Sequence, residues 1–462
     1  MGAFIIFFGY TQRAMADWPQ YSTNPFVIRL DIPVQDEGVG GIVVADVNGD
    51  HLLDYLITKP GYLAVYHHNG EKLWVKEIDI RMMGSGNNGL PGWHGPGVQA
   101  ADVDADGQCE VVFLTNDGNL HILEGSTGKS KKVVKPSLIP GVEKWEHVIV
   151  ANLRGLGDRD FIFQACPQSG PDSREGEKRA RLMAAFPAEA PEGAPFWQTD
   201  HYWPPAHGTA RIADLDGDGR DEVAGVTIID HDGKFVDKWD YTEKWNLGRD
   251  GPFHIDSVFI YDVRPDLPGL EVVLLEEGAN HISLVNMDQF IWRADYQHQE
   301  PQNAAVGEFD PNRPGLEIWC RSRYDKHQKP FVFDANGQLV AHYEMDKVAP
   351  EGWTVKGIEV IWTIDWTGGA KQLAAAKERH KSGDVAIFDP ISGKFLQRFK
   401  EKADRLYVAD VSGDWREELI VVSGNEIHVY HNTAPNPNPN RQRLWTKSYY
   451  RRSKMTWNYY SP

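Results

Sequence analysis

Excess positive charge, long apolar runs, a cysteine framework and helical periodicity are all missing from this sequence, and each absence removes a class of function. Forty-eight basic residues face 66 acidic ones, a formal net charge of −18. The basic surface of a general nucleic-acid binder is therefore absent, and no nucleic acid is expected as a partner. A local basic cleft can still sit on an acidic protein, so a polyanionic sugar stays open as a substrate. No run approaches the ~20 apolar residues of a membrane span. Cys109, Cys166 and Cys320 are odd in number and far apart, giving neither a disulfide framework nor a zinc spacing. They read as buried apolar thiols. There is also no Gly-rich phosphate loop, no Gly-x-Ser-x-Gly elbow and no zinc histidine pair.

What is present is repetition. "ADVNGDHLLDYLI" begins at Ala45, "ADVDADGQCEVVF" at Ala101, "ADLDGDGRDEVAG" at Ala213 and "ADVSGDWREELIV" at Ala409. Each carries a closing acid eight positions after its first Asp: Asp54, Glu110, Glu222 and Glu418. Longer versions from Tyr261 and Gly307 close at Glu271 and Glu317, and degenerate copies start at Ala151 and Thr363. Eight markers about fifty residues apart have the period of solenoids and propellers. Within each unit a short apolar strand leads into the acidic loop, then a β-rich strand, an Asn/Asp-Gly-type turn and another strand follow. That is the content of a four-stranded blade. Eight blades closing in a ring hide their sheet edges, so the expected fold is all-β: an eight-bladed β-propeller with Asp-rich loops.

The first residues, "MGAFIIFFGYTQRAMADWPQ", read as an export-signal remnant over residues 1–16 with cleavage before Asp17, although a basic leading segment is missing. Residues 17–462 then form a single propeller domain. The expectation is a secreted or periplasmic monomer.

Oxygen ligands at alternate positions around a glycine can wrap a hard cation. Calcium suits such all-oxygen sets and tolerates irregular geometry better than magnesium. Calcium is therefore the expected cofactor, on three candidate sets. They are Asp46, Asn48, Asp50 and Asp54; Asp102, Asp104, Asp106 and Glu110; and Asp214, Asp216, Asp218 and Glu222. The competing reading is that these loops are structural staples without chemistry. In the Pro-containing loops, Arg264 or Arg313 is expected to replace the cation. Asp221 is expected to face solvent.

Three histidines stand seven or eight residues ahead of an acidic loop: His94, His207 and His254. If these positions are equivalent, the three line one mouth of the central channel. Glycines around His94 and His207 leave room for a ligand. Trp362 is one of several tryptophans on which a sugar could stack, although packing between blades explains such rings as well.

The paired "RPDLPGLE" and "DPNRPGLEIW" loops, and "ADVSGDWREELI" followed by a tail with Tyr-Arg, resemble the rhamnogalacturonan lyases of polysaccharide lyase family eleven. The resemblance runs from about residue 40 to the end and implies a calcium-binding, eight-bladed propeller. Such an enzyme cleaves a rhamnose–galacturonate backbone by β-elimination, so an acidic plant- or algal-type polysaccharide is the implied partner. Residue by residue it implies Lys402 as a site lysine and Tyr450 as the tail tyrosine, with His94 and His254 ahead of their loops. Asp256 matches an acid in the family's His-Gly-Asp-Ala-like segment. The sequence departs from the family where Asn-Gly-Thr becomes Phe399, Lys400 and Glu401, and where an Arg becomes Asn303.

β-Elimination needs a base for the C5 proton, a cation beside the uronate carboxylate and an acid for the leaving oxygen. The expected roles are Lys402 as base, Tyr450 as acid, and His94 and His254 holding calcium or the uronate. His207, Arg405, Arg451, Trp362 and Asn303 are the expected substrate-binding residues. Arg451, Arg452 and Lys454 read equally well as a solvated basic tail. A glycoside hydrolase or a calcium-dependent glycan-binding module are the alternatives.

Overall fold

A computed structural model describes residues 21, 23–33, 39–82, 90, 95–167, 180–236, 255–295, 300–322, 328–353, 358–378 and 382–456. His94 and His254 lie outside the described residues. Among the described residues the strands form eight antiparallel sheets in chain order, seven of four strands and one, in blade four, of three. The ring closes through the N-terminus: Phe26–Arg29 supplies the outer strand of blade eight, with Phe26 opposite Val429 and Arg29 opposite Glu426.

Burial falls with distance from the hub. Second strands such as Asp54–Lys59, Asp160–Ala165 and Glu271–Glu276 are buried at every residue, charged ends included. They read as continuous apolar runs because neighbouring blades cover both faces. Outer strands such as Lys72–Glu77 and Ser130–Val134 are largely solvent-facing and take their lysines there. The core is a set of wedges between blades. One joins Ile42, Val44, Tyr55 and Ile57 of blade one to Tyr407, Ile420 and Val422 of blade eight. Each such side chain, once buried, contributes roughly 1.5–3 kcal/mol.

One register recurs. The closing acid opens the second strand directly opposite the last residue of the inner strand: Ala45 faces Asp54, Ala101 Glu110, Ala213 Glu222 and Ala409 Glu418. One carboxylate oxygen then accepts a backbone N–H of the loop, from Val47 at 3.2 Å, Val103 at 2.9 Å, Leu215 at 2.7 Å and Val411 at 3.0 Å. The acid holds its loop whether or not a cation is present. Its second oxygen meets a different neighbour from blade to blade, the His68 N–H at 3.0 Å in blade one and the Lys131 ammonium at 2.9 Å in blade two.

Residues 431–456 do not belong to any blade. They pass over the mouth where the acidic loops gather and end in a helix, Ser448–Met455, seated on the hub. The Tyr407 hydroxyl and the Gln99 amide both donate to carbonyls of this helix, those of Lys454 at 2.8 Å and Met455 at 3.0 Å. The expected single propeller over 17–462 is thus blades plus a strap.

Candidate functional site

The hub has two mouths, and the strap separates their chemistry. At the acidic mouth, tail cations meet blade acids. Arg452 donates to Asp158 at 2.9 Å and to the Val150 carbonyl at 3.1 Å, and pairs with Asp221 at 2.5 Å. Asp221 is 2% exposed, which overturns the expectation that it faces solvent. It is the strap's anchor, and burial raises its pKa against the pull of Arg452. Arg443 pairs with Asp410, and Arg441 lies 3.3 Å from Asp365. The reading of Arg452 and Lys454 as a solvated tail falls with them, since Lys454 is buried and the Arg452 side chain is only 10% exposed.

Lys454 sits at the centre of this mouth. Its ammonium donates to the Val408 carbonyl at 2.7 Å, lies 4.3 Å from the Trp362 ring centre and 3.9 Å from Glu417. The Tyr450 hydroxyl donates to Glu417, whose other oxygen accepts the Asp365 N–H at 2.9 Å. Burial pushes Glu417 up to about 7 and Lys454 down to about 8. Sequence reasoning assigned Glu417 no role, because in "WREE" it stands beside the closing acid and only the fold separates the two.

Lys402 lies at the other end of the hub. It is exposed in the link that precedes the inner strand Arg405–Ala409. Tyr450 binds Glu417, which follows that strand's acidic loop. A five-residue strand spans about 13 Å at ~3.3 Å per residue. The structure therefore does not bring the expected base and acid together, and Tyr450 is buried in the strap rather than lining the entry mouth.

Other expected substrate contacts are redistributed as well. Arg405 is 4% exposed, with its Nε on the Gly40 carbonyl at 2.8 Å, so it pins blade eight to blade one instead of reaching substrate. Trp362 packs in the hub, its indole N–H on the Leu406 carbonyl at 2.9 Å. Asn303 is buried at 2% beside a hub cavity that Arg211, Trp362 and Tyr449 also line. Arg451 lines a cavity of ≈550 Å³ at the acidic mouth together with Asp46, Asp102 and Asp158. Of these four only Arg405 stands near Lys402, three residues on at the start of the same inner strand, and its side chain is buried.

At the entry mouth, where inner strands begin, His207 is half-buried with its Nε2 3.6 Å from fully buried Asp256. The His207 N–H donates to the Asp256 carbonyl at 2.9 Å, tying blade four to blade five. Next to this pair, Ser257 donates to the Gln302 carbonyl at 2.6 Å, Gln302 donates to Glu277 at 2.8 Å, and Arg321 donates to Gln302 and, at 3.0 Å, to the Ile358 carbonyl. Lys59, 6% exposed, is a cation that sequence reasoning missed. Burial lowers its pKa, Asp404 opposes that shift and Arg405 adds to it. No motif marks it, because it ends an ordinary second strand.

The three candidate calcium sets separate clearly. In blade two the Lys131 ammonium already occupies the space between the acids, 2.6 Å from Asp104, 2.7 Å from Asp106 and 2.9 Å from Glu110. That set does not fit a further cation. In blade four, oxygens of Asp214, Asp216 and Asp218 converge, and the buried Glu222 Oε1 has no hydrogen-bond partner among the described residues. Burial, together with Asp216, Asp230 and Asp214, pushes Glu222 up to about 9. The turn histidine stands beside this set, with His231 Nδ1 3.9 Å from both Glu222 Oε1 and Asp218 Oδ2 and its Nε2 on Arg220 at 2.8 Å. This all-oxygen set fits calcium. In blade one both Asp46 oxygens are taken by loop N–H groups, and two imidazoles enter. In the Pro-containing loops Arg264 pairs with Asp266 at 2.7 Å and Arg313 with Asp310 at 3.0 Å. The second oxygens of Glu271 and Glu317 stay without hydrogen-bond partners, so the arginines replace a cation only in part.

Comparison with known proteins bears on the whole chain. The pattern described as "Rhamnogalacturonan lyase family 11, C-terminal domain" matches residues 198–461, and an FG-GAP-like repeat matches 46–113. Rhamnogalacturonan endolyase YesW of Bacillus subtilis (strain 168) is 23% identical over 93% of this chain and 72% of that protein. Rhamnogalacturonan exolyase YesX of the same organism is 23% identical over 80% of this chain and 64% of its own length. The crystal structure of YesW superposes with a TM-score of 0.63 at 19% identity, covering 93% of this chain and 79% of that one. That likeness supports the eight-bladed fold.

Proposed function

The chain belongs to rhamnogalacturonan lyase family 11, it is a polysaccharide lyase for a rhamnogalacturonan-type glycan, and from that premise we propose that cleavage takes place at the entry mouth. The observation that carries this reading is the division of the hub. Lys402 is exposed at one end, whereas the strap and its ion pairs occupy the other.

In the proposed reaction the free amine of Lys402 takes the C5 proton of a galacturonate. The electron pair left at C5 forms the C4–C5 double bond as the C4–O bond breaks. The departing oxygen takes a proton from an acid in the same mouth. A cation beside the uronate carboxylate stabilises the charge that builds during proton removal. His207 and Asp256 lie in blades four and five, across the ring from the link that carries Lys402. Their place is to bind a neighbouring sugar of the same chain, with Asp256 orienting the imidazole. Tyr450 takes no part.

Calcium belongs to the proposal through blade four. When bound there it supplies structural charge neutralisation, held by Asp214, Asp216, Asp218 and Glu222. Export and a monomeric state complete the reading, since a polymeric substrate of this size is met outside the cell membrane. The test is the ultraviolet absorbance of unsaturated uronate released from rhamnogalacturonan. Lys402→Met should lower kcat by about 10²–10⁴, the range of a lost general base, with unchanged thermal stability. Tyr450→Phe should keep kcat within a few-fold. Equal losses in the two variants, both stably folded, would refute placing the reaction at the entry mouth.

A further inference from the structure

We propose that the acidic loop of blade one is a site for a borderline divalent metal of the zinc class, held by His67, His68 and Asp50. Among the described residues, two imidazoles distinguish this loop from those of the other blades. Asp46, the first residue of the motif, turns both carboxylate oxygens inward. One accepts Gly49 N–H at 2.7 Å and Asp50 N–H at 3.2 Å, and the other accepts His51 N–H at 2.9 Å. Asn48 likewise gives its side-chain oxygen to Asp50 N–H at 3.0 Å. The Asp214 carboxylate of blade four accepts Gly217 N–H at 2.8 Å and Gly219 N–H at 3.0 Å in the same way, so these bonds shape the turn in both blades and the choice of ion rests on the other groups that reach it.

In blade one those other groups are nitrogens. The turn between the third and fourth strands of blade one, "HHNG" over residues 67–70, is a tight hairpin: His67 N–H donates to the Glu71 carbonyl at 2.8 Å, and Gly70 N–H to the His67 carbonyl at 2.8 Å. It sets the two imidazoles side by side with ring centres 3.9 Å apart. His67 Nε2 lies 2.8 Å from Asp50 Oδ2, His68 Nδ1 3.5 Å from the same oxygen, and His67 Nε2 4.0 Å from Asp54 Oδ1. One ligand atom from each of His67, His68 and Asp50 falls within 4.8 Å of the others. Tetrahedral zinc, with ligands near 2.0–2.2 Å, separates them by about 3.4 Å. The observed spacings bracket that value, so small side-chain movements complete the site.

Chemistry agrees with geometry. Imidazole with carboxylate suits zinc, copper or nickel, whereas calcium and magnesium take oxygen. Side-chain exposures of 16% for His67, 10% for His68 and 34% for Asp50 leave an approach from the Asp50 side. Blade four differs in degree: one turn histidine, His231, stands beside its acids, and the three aspartates Asp214, Asp216 and Asp218 converge there as an all-oxygen group. The competing role for His67 is as a protonated counter-charge, the part Lys131 plays in blade two.

The experiment uses the full chain, stripped with chelator and titrated with zinc alone, then with zinc against a ~1,000-fold excess of calcium. Cobalt in place of zinc gives a visible-absorbance readout. The expected result is one zinc equivalent that calcium does not displace, weakened at least ~10-fold by His68→Gln and by Asp50→Asn, and unchanged by Asp216→Asn in blade four. Asp50 is partly exposed, so its variant stays informative if His68→Gln fails to fold. No saturable zinc binding, or zinc affinity untouched by folded Asp50→Asn, would overturn the site. So would displacement by equimolar calcium. None of these readouts needs turnover, so they stand apart from the lyase assay.

Discussion

Replacing Arg452 by methionine tests whether the strap is locked by its buried ion pair. The substitution keeps the apolar stem and removes the guanidinium that meets Asp221 at 2.5 Å, Asp158 at 2.9 Å and the Val150 carbonyl at 3.1 Å. Asp221, 2% exposed, then retains only the N–H of Asn152, at 2.6 Å. Breaking one side of a buried pair typically costs about 3–5 kcal/mol, most of it from the charge left behind. A chain of this size has an unfolding entropy of about 1 kcal/mol per kelvin near its midpoint, so Tm should fall by about 3–5 °C. The double variant Arg452→Met with Asp221→Asn removes the stranded charge and should recover most of that loss. The pH dependence has a definite sign. In Arg452→Met, Asp221 has a folded pKa raised further above its unfolded value, so the stability it contributes is present in acid and is lost as pH rises through the folded pKa. The Tm deficit should therefore be larger at neutral pH than in mild acid. Thermal unfolding followed by circular dichroism measures all of this. A single variant within 1 °C of the parent, or a double variant no better than the single, would refute the buried-anchor reasoning.

Three further outcomes follow from the same geometry. Asp216→Asn should reduce calcium binding and lower the Tm gained on adding calcium, whereas Asp104→Asn should leave both unchanged, because Lys131 already neutralises blade two; calcium titration with thermal melts decides it. Glu417→Gln should remove a fall in stability that the parent shows between its ordinary value of 4.5 and about 7, a window in which the folded chain keeps a proton the unfolded chain gives up. Lys454→Met should abolish the opposite trend, a rise in stability between about 8 and 10.5, where the unfolded chain holds the proton that the folded one has lost. Melts across that pH range check both, and parallel parent and variant curves would contradict them.

Much of the ring is local in origin and could be read early. Strand-loop-strand-turn units, their number and the place of each closing acid follow from residues within about fifteen positions of one another. The register of Ala213 against Glu222 is such a case, since a one-residue slip would turn every buried side chain of that hairpin to the wrong face. Chemistry at the loops was legible only as residue type. "ADVDADGQCE" and "ADLDGDGRDE" look alike, yet Lys131 enters the first and, among the described residues, no lysine enters the second, because the deciding side chain sits on a later strand of the blade. His67 and His68 escaped notice for the same reason: they stand seventeen and eighteen positions from Asp50, with no motif spanning the gap.

The sequence by itself determined the class of fold, the count of blades, the family and the identity of the acids. The fold class, the blade count and the acids are carried by short-range periodicity, and the family by the resemblance of the "RPDLPGLE", "DPNRPGLEIW" and "ADVSGDWREELI" loops. Only the tertiary structure decided which of the marked residues share a mouth. Lys402 and Tyr450 stand forty-eight positions apart and looked like partners; ring closure put them at opposite ends of one strand. Asp221 looked solvent-facing until the tail came back across more than two hundred residues to bury it under Arg452. Long-range charge pairing and the path of the strap are settled by desolvation and packing in the closed ring, and no window of the sequence contains them.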